Sequence, residues 1–221
     1  MTATSFHVGI VGHRPPRLAG ADPAALRRVL GELLRAIADE ALRAAGSGEV
    51  LRLTAISPLA EGADRLFAGA AIEAGFALHC VMPFDQAEYE RDFDGTRALE
   101  PDSLARFRAL LAEAARTGCL TVTELAGDRR RADDAYRAAG VRVVELSDLL
   151  VAVWDGEQRG SMAGTDGAVA MARERGTPTV WVHAVAPHPW RLLDTVGDAT
   201  QEDDNARWNA LRGVTRRLLD A

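Results

Sequence analysis

The stretch VLRLTAISPLAEGADRLFAGAAIEAGFALHCVMPF, residues 50–84, decides the fold class. It opens as an apolar run of strand length, VLRLTAIS (50–57), and turns through a loop of small and acidic residues. An alanine-rich helical pattern at 62–75 follows, and a second apolar run, FALHCVMPF (76–84), closes the unit. Parallel neighbours need a crossover between them, and strands covered on both faces lose the apolar–polar alternation of a half-solvated sheet. The same pattern extends outward through HVGIVG (7–12), DLLVAVWD (148–155) and TPTVWVHA (177–184). Between the first two strands, residues 23–46 carry Leu26, Leu30, Leu33, Leu34, Ile37 and Leu42 at near-helical spacing. Asp22 is the expected N-cap and Gly46 the expected stop. The architecture read from this order is α/β: a doubly wound, mainly parallel sheet with helices on both faces.

Residues 85–147 are too long for a plain crossover and are expected to hold two helices, around PDSLARFRALLAEAAR (101–116) and RADDAYRAAGVRVVELS (131–147). The segment VRVVEL (141–146) reads equally as the end of the second helix or as a short strand. At the C-terminal end Trp208, Leu211, Thr215 and Leu218 form a stripe that should dock on the body. The expected organisation is one domain over 1–221 with a helical extension at about 187–221.

Composition removes several chemistries. All 26 basic residues are arginine, so a Schiff-base enzyme and a Walker P-loop, both of which need a lysine amine, are excluded. The five histidines show no HxH or HExxH spacing and Cys80 and Cys119 no CxxC, so no metal and no cofactor are expected. A net charge of −6 makes a nucleic-acid partner the weaker expectation, with Arg129, Arg130 and Arg131 as either a solvated helix face or a local phosphate patch. No run approaches the roughly 18 apolar residues of a membrane span, and residues 1–16 lack a basic region leading into a long apolar one. A cytoplasmic location without membrane contact is the expectation, and a homo-oligomer is left open.

Ligands of such sheets bind outside the carboxyl ends of the strands, where strand order reverses. Three loops fall at such ends: GHRPPR (12–17), SPLAEGAD (57–64) and WDGEQRGSMAGTDG (154–167). The last leads into a helix whose free N–H groups and positive dipole end favour a phosphate, unless its glycines only loosen a surface loop or pack the helix on the sheet. Arg14 offers a charge-assisted fork to a phosphate, or else pairs with Asp64 or Glu61 to hold loops together. His13 is placed to contact a base or sugar or to titrate near neutrality. Asp64 and Asp155 either bind ribose hydroxyls or cap helices. FDQAEYERDFDG (84–95) is a lid presenting Tyr89, Arg91 and Asp92, or a surface turn.

Taken in order, VGHRPP, SPLAEGADRLFAGAAIEAG, VMPF, SDLLVAVWDG and AGT resemble the SLOG superfamily of Rossmann-like proteins over roughly residues 5–185. This superfamily includes the Lonely Guy phosphoribohydrolases, the DNA-processing protein A family and nucleotide-sensing domains. By resemblance, Ser57, Ala60, Gly62 and Asp64 match the SGxAxGxD turn of the DNA-processing relatives. Gly164 and Thr165, and more loosely Gly160, match the GGxGT phosphate cradle of the Lonely Guy enzymes. The candidate ligand-binding set is therefore Gly12, His13, Arg14, Ser57, Ala60, Glu61, Gly62, Asp64, Asp155, Gly156, Gly160, Gly164, Thr165 and Asp166.

One departure bears on chemistry. The Lonely Guy enzymes pair an arginine before the SD strand with a glutamate after the GGxGT threonine, and an ungapped count puts Ala139 and Ala168 at those positions. Arg137 and Asp166 lie nearby. The resemblance thus implies a Rossmann-like protein that binds a nucleotide or nucleotide-derived small molecule as a sensor or regulatory module. An N-glycosidic-bond hydrolase using other catalytic groups is the alternative, and a DNA-processing protein the second alternative.

Overall fold

The computed structural model of the chain describes residues 3–45, 50–157, 164–193 and 203–220. A seven-stranded sheet is built from β1 (Ala3–Gly12), β2 (Val50–Ser57), β3 (Ala77–Met82), β4 (Leu120–Glu124), β5 (Leu149–Trp154), β6 (Thr179–His183) and β7 (Trp190–Leu193). The helices are α1 (Pro23–Ala44), α2 (Ala63–Glu73), α3 (Gln86–Glu90), α4 (Ser103–Arg116), α5 (Ala132–Leu146), α6 (Thr165–Arg175) and α7 (Asp204–Leu219). Strand order is β4-β3-β2-β1-β5-β6-β7, parallel from β4 to β6, with β7 antiparallel at the edge. The fold is Rossmann-like α/β.

The two-residue period of the strands sorts the core into two faces. From β1, Phe6, Val8 and Ile10 point into a cluster with α1, α2 and α7, while Val11 joins the opposite cluster with α5 and α6. From β5, Leu149, Val151 and Val153 face the first side and Leu150 and Ala152 the second. A third cluster, around Leu78, Cys80, Met82 and Phe107, packs α4 and the segment after β3 against the sheet. On α1, Leu26, Leu30, Leu33, Leu34 and Ile37 are all fully buried, each worth about 1.5–3 kcal/mol of burial. The helix starts as expected: the Asp22 carboxylate accepts from the N–H groups of Ala24 and Ala25, both at 3.0 Å, and Pro23 takes the first position. Gly46, the expected stop, lies outside the described residues. No helix among the described residues is long and apolar enough to cross a membrane.

Three features differ from the sequence expectation, and the open choice for VRVVEL falls to the helix. Strand β1 begins at Ala3 rather than His7, because its first residues pair with the start of β2. The stretch expected to hold only two helices also contains β4, an edge strand whose half-exposed LTVTE sequence shows no apolar run. VRVVEL belongs to α5, with Val143 and Val144 buried against the sheet. The segment expected as a helical extension includes β7, whose Trp190 and Leu192 alternate inward before α7 docks its Leu211, Val214 and Thr215.

Candidate functional site

Chain order fixes where a ligand can enter. The sheet grows from β1 through β2 and β3 to β4, then the chain returns to lay β5 on the other side of β1. The helices leaving the adjacent ends of β1 and β5 therefore diverge to opposite faces, and the crevice between those ends is open. A cleft of about 550 Å³ lies there, within the range of small-molecule sites. Its lining includes Gly12, His13, Arg14 and Arg17 after β1, Ala60 and Asp64 after β2, Tyr89, Asp92 and Phe93 after β3, and Gly164 and Thr165 after β5.

His13 knits the crevice together. Its N–H donates to the Val153 carbonyl at 3.0 Å and its carbonyl accepts from the Ala63 N–H at 3.1 Å, so the turn after β1 is tied to both β5 and α2. The buried ring sets Nε2 3.2 Å from the Asp155 backbone nitrogen and 3.1 Å from Asp155 Oδ1, and places Nδ1 at 3.4 Å from Thr165 Oγ1. Arg17 Nη2 reaches both oxygens of Asp155, at 2.9 and 2.7 Å. Burial works to raise the Asp155 pKa, but the Glu157 N–H, Arg17 and His13 overcome it and hold the carboxyl well below the usual range. Asp155 caps no helix; it is a latch between loops.

The second loop is held by a buried carboxylate. Glu61 Oε1 accepts from the N–H groups of Leu99 (2.8 Å) and Glu100 (3.1 Å) and from Ser103 Oγ (2.6 Å), while Oε2 accepts from Arg14 Nη2 at 2.9 Å. These donors outweigh burial and lower the Glu61 pKa. Ser103 Oγ in turn accepts from Arg65 Nη1 at 2.8 Å, and the Arg65 guanidinium lies 4.3 Å over the Phe93 ring. Gly62 has φ +93°, and a Cβ there would stand 2.6 Å from the His13 carbonyl oxygen, so glycine is required by the close approach of the two loops. Gly12 is required by packing: a Cβ would lie 2.5 Å from that of Ala63.

Asp64 is different. It sits at the second position of α2, whose N-cap is Gly62, and it is 5% exposed at the edge of the cleft. Its Oδ1 has no hydrogen-bond partner among the described residues. Burial, opposed by the Ala60 N–H and by the charges of Arg14 and Arg65, raises its pKa to about 7. Beyond it, the 84–95 segment is a packed wall. Tyr89 and Phe93 are 2% exposed, and their rings meet edge to face with centroids 4.8 Å apart. Arg91 points away, paired with Glu88. Asp92 accepts from Tyr136 Oη and Arg129 Nη1, each at 2.6 Å, and Arg129 also lies 4.2 Å over the Phe84 ring. Arg129 is thus a wall brace, whereas the Arg130 side chain is 88% exposed.

Of the residues singled out by sequence, Gly12, His13, Arg14, Ala60, Asp64, Gly164 and Thr165 line the cleft. Ser57, Glu61, Gly62, Asp155, Gly156 and Asp166 stand behind that surface, and Ser57 Oγ accepts from the Leu59 N–H within its own turn. Gly160 lies outside the described residues. Ala139 and Ala168, which the ungapped count put at the positions of the Lonely Guy charged pair, both border the cleft, from α5 and α6. Arg137 is paired with Asp134 and borders nothing there. Sequence reading missed Arg17, Asp133 and Tyr136 as lining residues. Arg17 had a signal, as the second arginine of HRPPR; Tyr136 had none, because it lies within α5 rather than in a strand-end loop.

No protein-family model matches the chain, and no curated protein matches it. Among solved structures, DNA processing protein A from Helicobacter pylori, described by its single-stranded DNA binding mode, is similar over 98% of this chain and 80% of that one, at 14% identity and TM-score 0.47. For DNA processing protein A from Streptococcus pneumoniae the shares are 94% and 56%, at 14% identity and TM-score 0.46. For the molybdenum cofactor binding protein from the phototrophic bacterium Rippkaea orientalis they are 98% and 88%, at 14% identity and TM-score 0.39. These likenesses concern the fold.

Proposed function

We propose that this chain binds a nucleotide or nucleotide-derived small molecule in the cleft between the ends of β1 and β5 and serves as a ligand-responsive module. One observation carries the reading: three separate loops and the start of α6 converge on a single cleft at the strand-order reversal. The first-turn N–H groups of α6 at Gly164–Thr165 suit a phosphate. The lining cations, Arg14 and Arg17, are both engaged by carboxylates, so the phosphate is held chiefly by backbone dipoles. The cleft offers recognition groups, but alanine at positions 139 and 168 supplies neither charge nor proton. That favours binding over turnover. Asp64, with its raised pKa, is the one observation favouring the N-glycosidic hydrolase as a second reading.

Calorimetry with the four nucleoside monophosphates and NAD tests the proposal. Gly164→Asp should abolish binding while leaving the melting temperature within a few degrees, because a carboxylate would occupy the phosphate position. Unchanged affinity in this variant, or no binding by the unsubstituted protein, would overturn the reading.

A further inference from the structure

The edge of the cleft holds a buried carboxyl that the scaffold leaves partly unused. Asp155 is saturated by Arg17, His13 and the Glu157 N–H, and Glu61 by four donors. Asp92 is engaged by Tyr136 and Arg129. Asp64 alone combines three properties: it borders the cleft, it is more than nine-tenths buried, and its Oδ1 has no partner among the described residues. A buried polar atom without a partner has lost its water without replacement, a cost that a ligand able to satisfy it would recover.

We propose that Asp64 binds the ligand as a neutral carboxylic acid, donating its O–H to an acceptor atom of a nucleobase, a ring nitrogen or a ring carbonyl, and that binding is thereby coupled to proton uptake. The inference rests on the nucleotide reading above and specifies which end of the ligand lies where: phosphate at Gly164–Thr165, base at Asp64.

The surroundings favour the protonated acid. The groups facing Asp64 are Arg14 from the loop after β1, Arg65 on its own helix, Cys80 on β3 and Tyr89 on α3. Arg14 is drawn off by Glu61, and Arg65 by Ser103 and the Leu59 carbonyl, so neither forms an ion pair with Asp64. Burial keeps the Cys80 thiol and the Tyr89 phenol neutral, and an ionised Asp64 pushes both pKa values higher still. Burial likewise keeps the proton on Asp64 up to about pH 7. An O–H needs an acceptor, which every nucleobase presents. A ribose diol would instead be best held by the ionised carboxylate with its two accepting oxygens. The two modes have opposite pH dependence.

The test is calorimetry of the four nucleoside monophosphates between pH 6 and pH 8, on the unsubstituted chain and on Asp64→Asn. Asparagine keeps the shape and a donor but does not titrate. With half-protonation near 7, affinity relative to Asp64→Asn should fall roughly tenfold from pH 6 to pH 8. The variant serves as the reference because it shares the ligand's own phosphate titration. The heat of binding at pH 8, compared across buffers of different ionisation enthalpy, should show close to one proton taken up by the unsubstituted chain and less by Asp64→Asn; this measurement stands even if the variant folds poorly. A ratio that stays flat or rises with pH, or no excess proton uptake, overturns the role of Asp64 while leaving the nucleotide reading in place. No binding at any pH overturns both.

Discussion

At pH 3 and below, the Asp64 carboxyl is largely protonated in the folded and unfolded chain alike and contributes almost nothing to the difference between them. Between pH 3 and pH 7 the unfolded carboxyl ionises at its ordinary value, near 3.8, while the folded one keeps its proton to about 7. The native state then binds more protons than the unfolded state, so stability falls as pH rises through this window and levels off above it. Asp64→Asn removes that penalty. The variant should match the unsubstituted protein in melting temperature at pH 3 and exceed it at pH 8. The stabilisation should be on the order of 4 kcal/mol, or roughly 8–16 °C for a chain of this size. Differential scanning calorimetry at the two pH values decides it, and equal melting temperatures at pH 8 would show that the buried acid ionises without cost. A group kept at the expense of stability is what an open ligand contact looks like energetically.

At the scale of elements, α7 is attached to the body chiefly through α1 and β7. It docks on α1 through Leu211, fully buried, with Val214 and Thr215 beside it. Arg216 Nε reaches Glu40 on α1 at 3.0 Å, and Trp190 of β7 meets Trp208 with ring centroids 4.7 Å apart. The apolar contacts carry most of the adhesion; Glu40 is 3% exposed, and Arg43 Nη1, 3.0 Å from its Oε2, remains as a second partner when Arg216 is removed. Leu211→Ala should therefore cost about 2–5 kcal/mol in urea unfolding, and Arg216→Ala clearly less. Because α7 packs on the face of the sheet away from α5 and α6, neither change should alter nucleotide affinity at a temperature where the protein is folded.

For the molecule as a whole, the question is whether the cleft only holds its ligand. Breaking an N-glycosidic bond requires stabilising an oxocarbenium-like transition state and activating a water. Ala139 and Ala168 border the cleft from the neighbouring helices α5 and α6 and can do neither. Loss of one positioned acid or base typically costs about 10² to 10⁴ in rate, so two absences should leave turnover near background. Incubation with adenosine monophosphate is expected to release no adenine above the uncatalysed level by chromatography. Adenine formed in proportion to protein, and abolished by Asp64→Asn, would make the buried carboxyl a proton donor to the leaving base and the chain a hydrolase.

The linear pattern alone determined the layered α/β plan, because period and burial are local properties. The near-continuous apolar runs at 50–57 and 149–154 announce covered parallel strands, and Asp22-Pro23 announces a helix start. Strands with half their surface exposed or only four residues long, β4 and β7, gave no such signal, since edge strands need no apolar run. The cleft was legible where its lining residues sit in strand-end loops or at the helix starts that follow them, as with His13, Arg14, Asp64 and Thr165. What no local pattern could decide is which carboxyl would be used up. Glu61, Asp64 and Asp155 are equivalent acids in equivalent loops until Leu99, Ser103, Arg14 and Arg17 arrive from distant positions to saturate two of them. The third is left buried and unpaired at one oxygen, because pKa and partner supply depend on distance in space, and folding sets those distances across more than a hundred residues of chain.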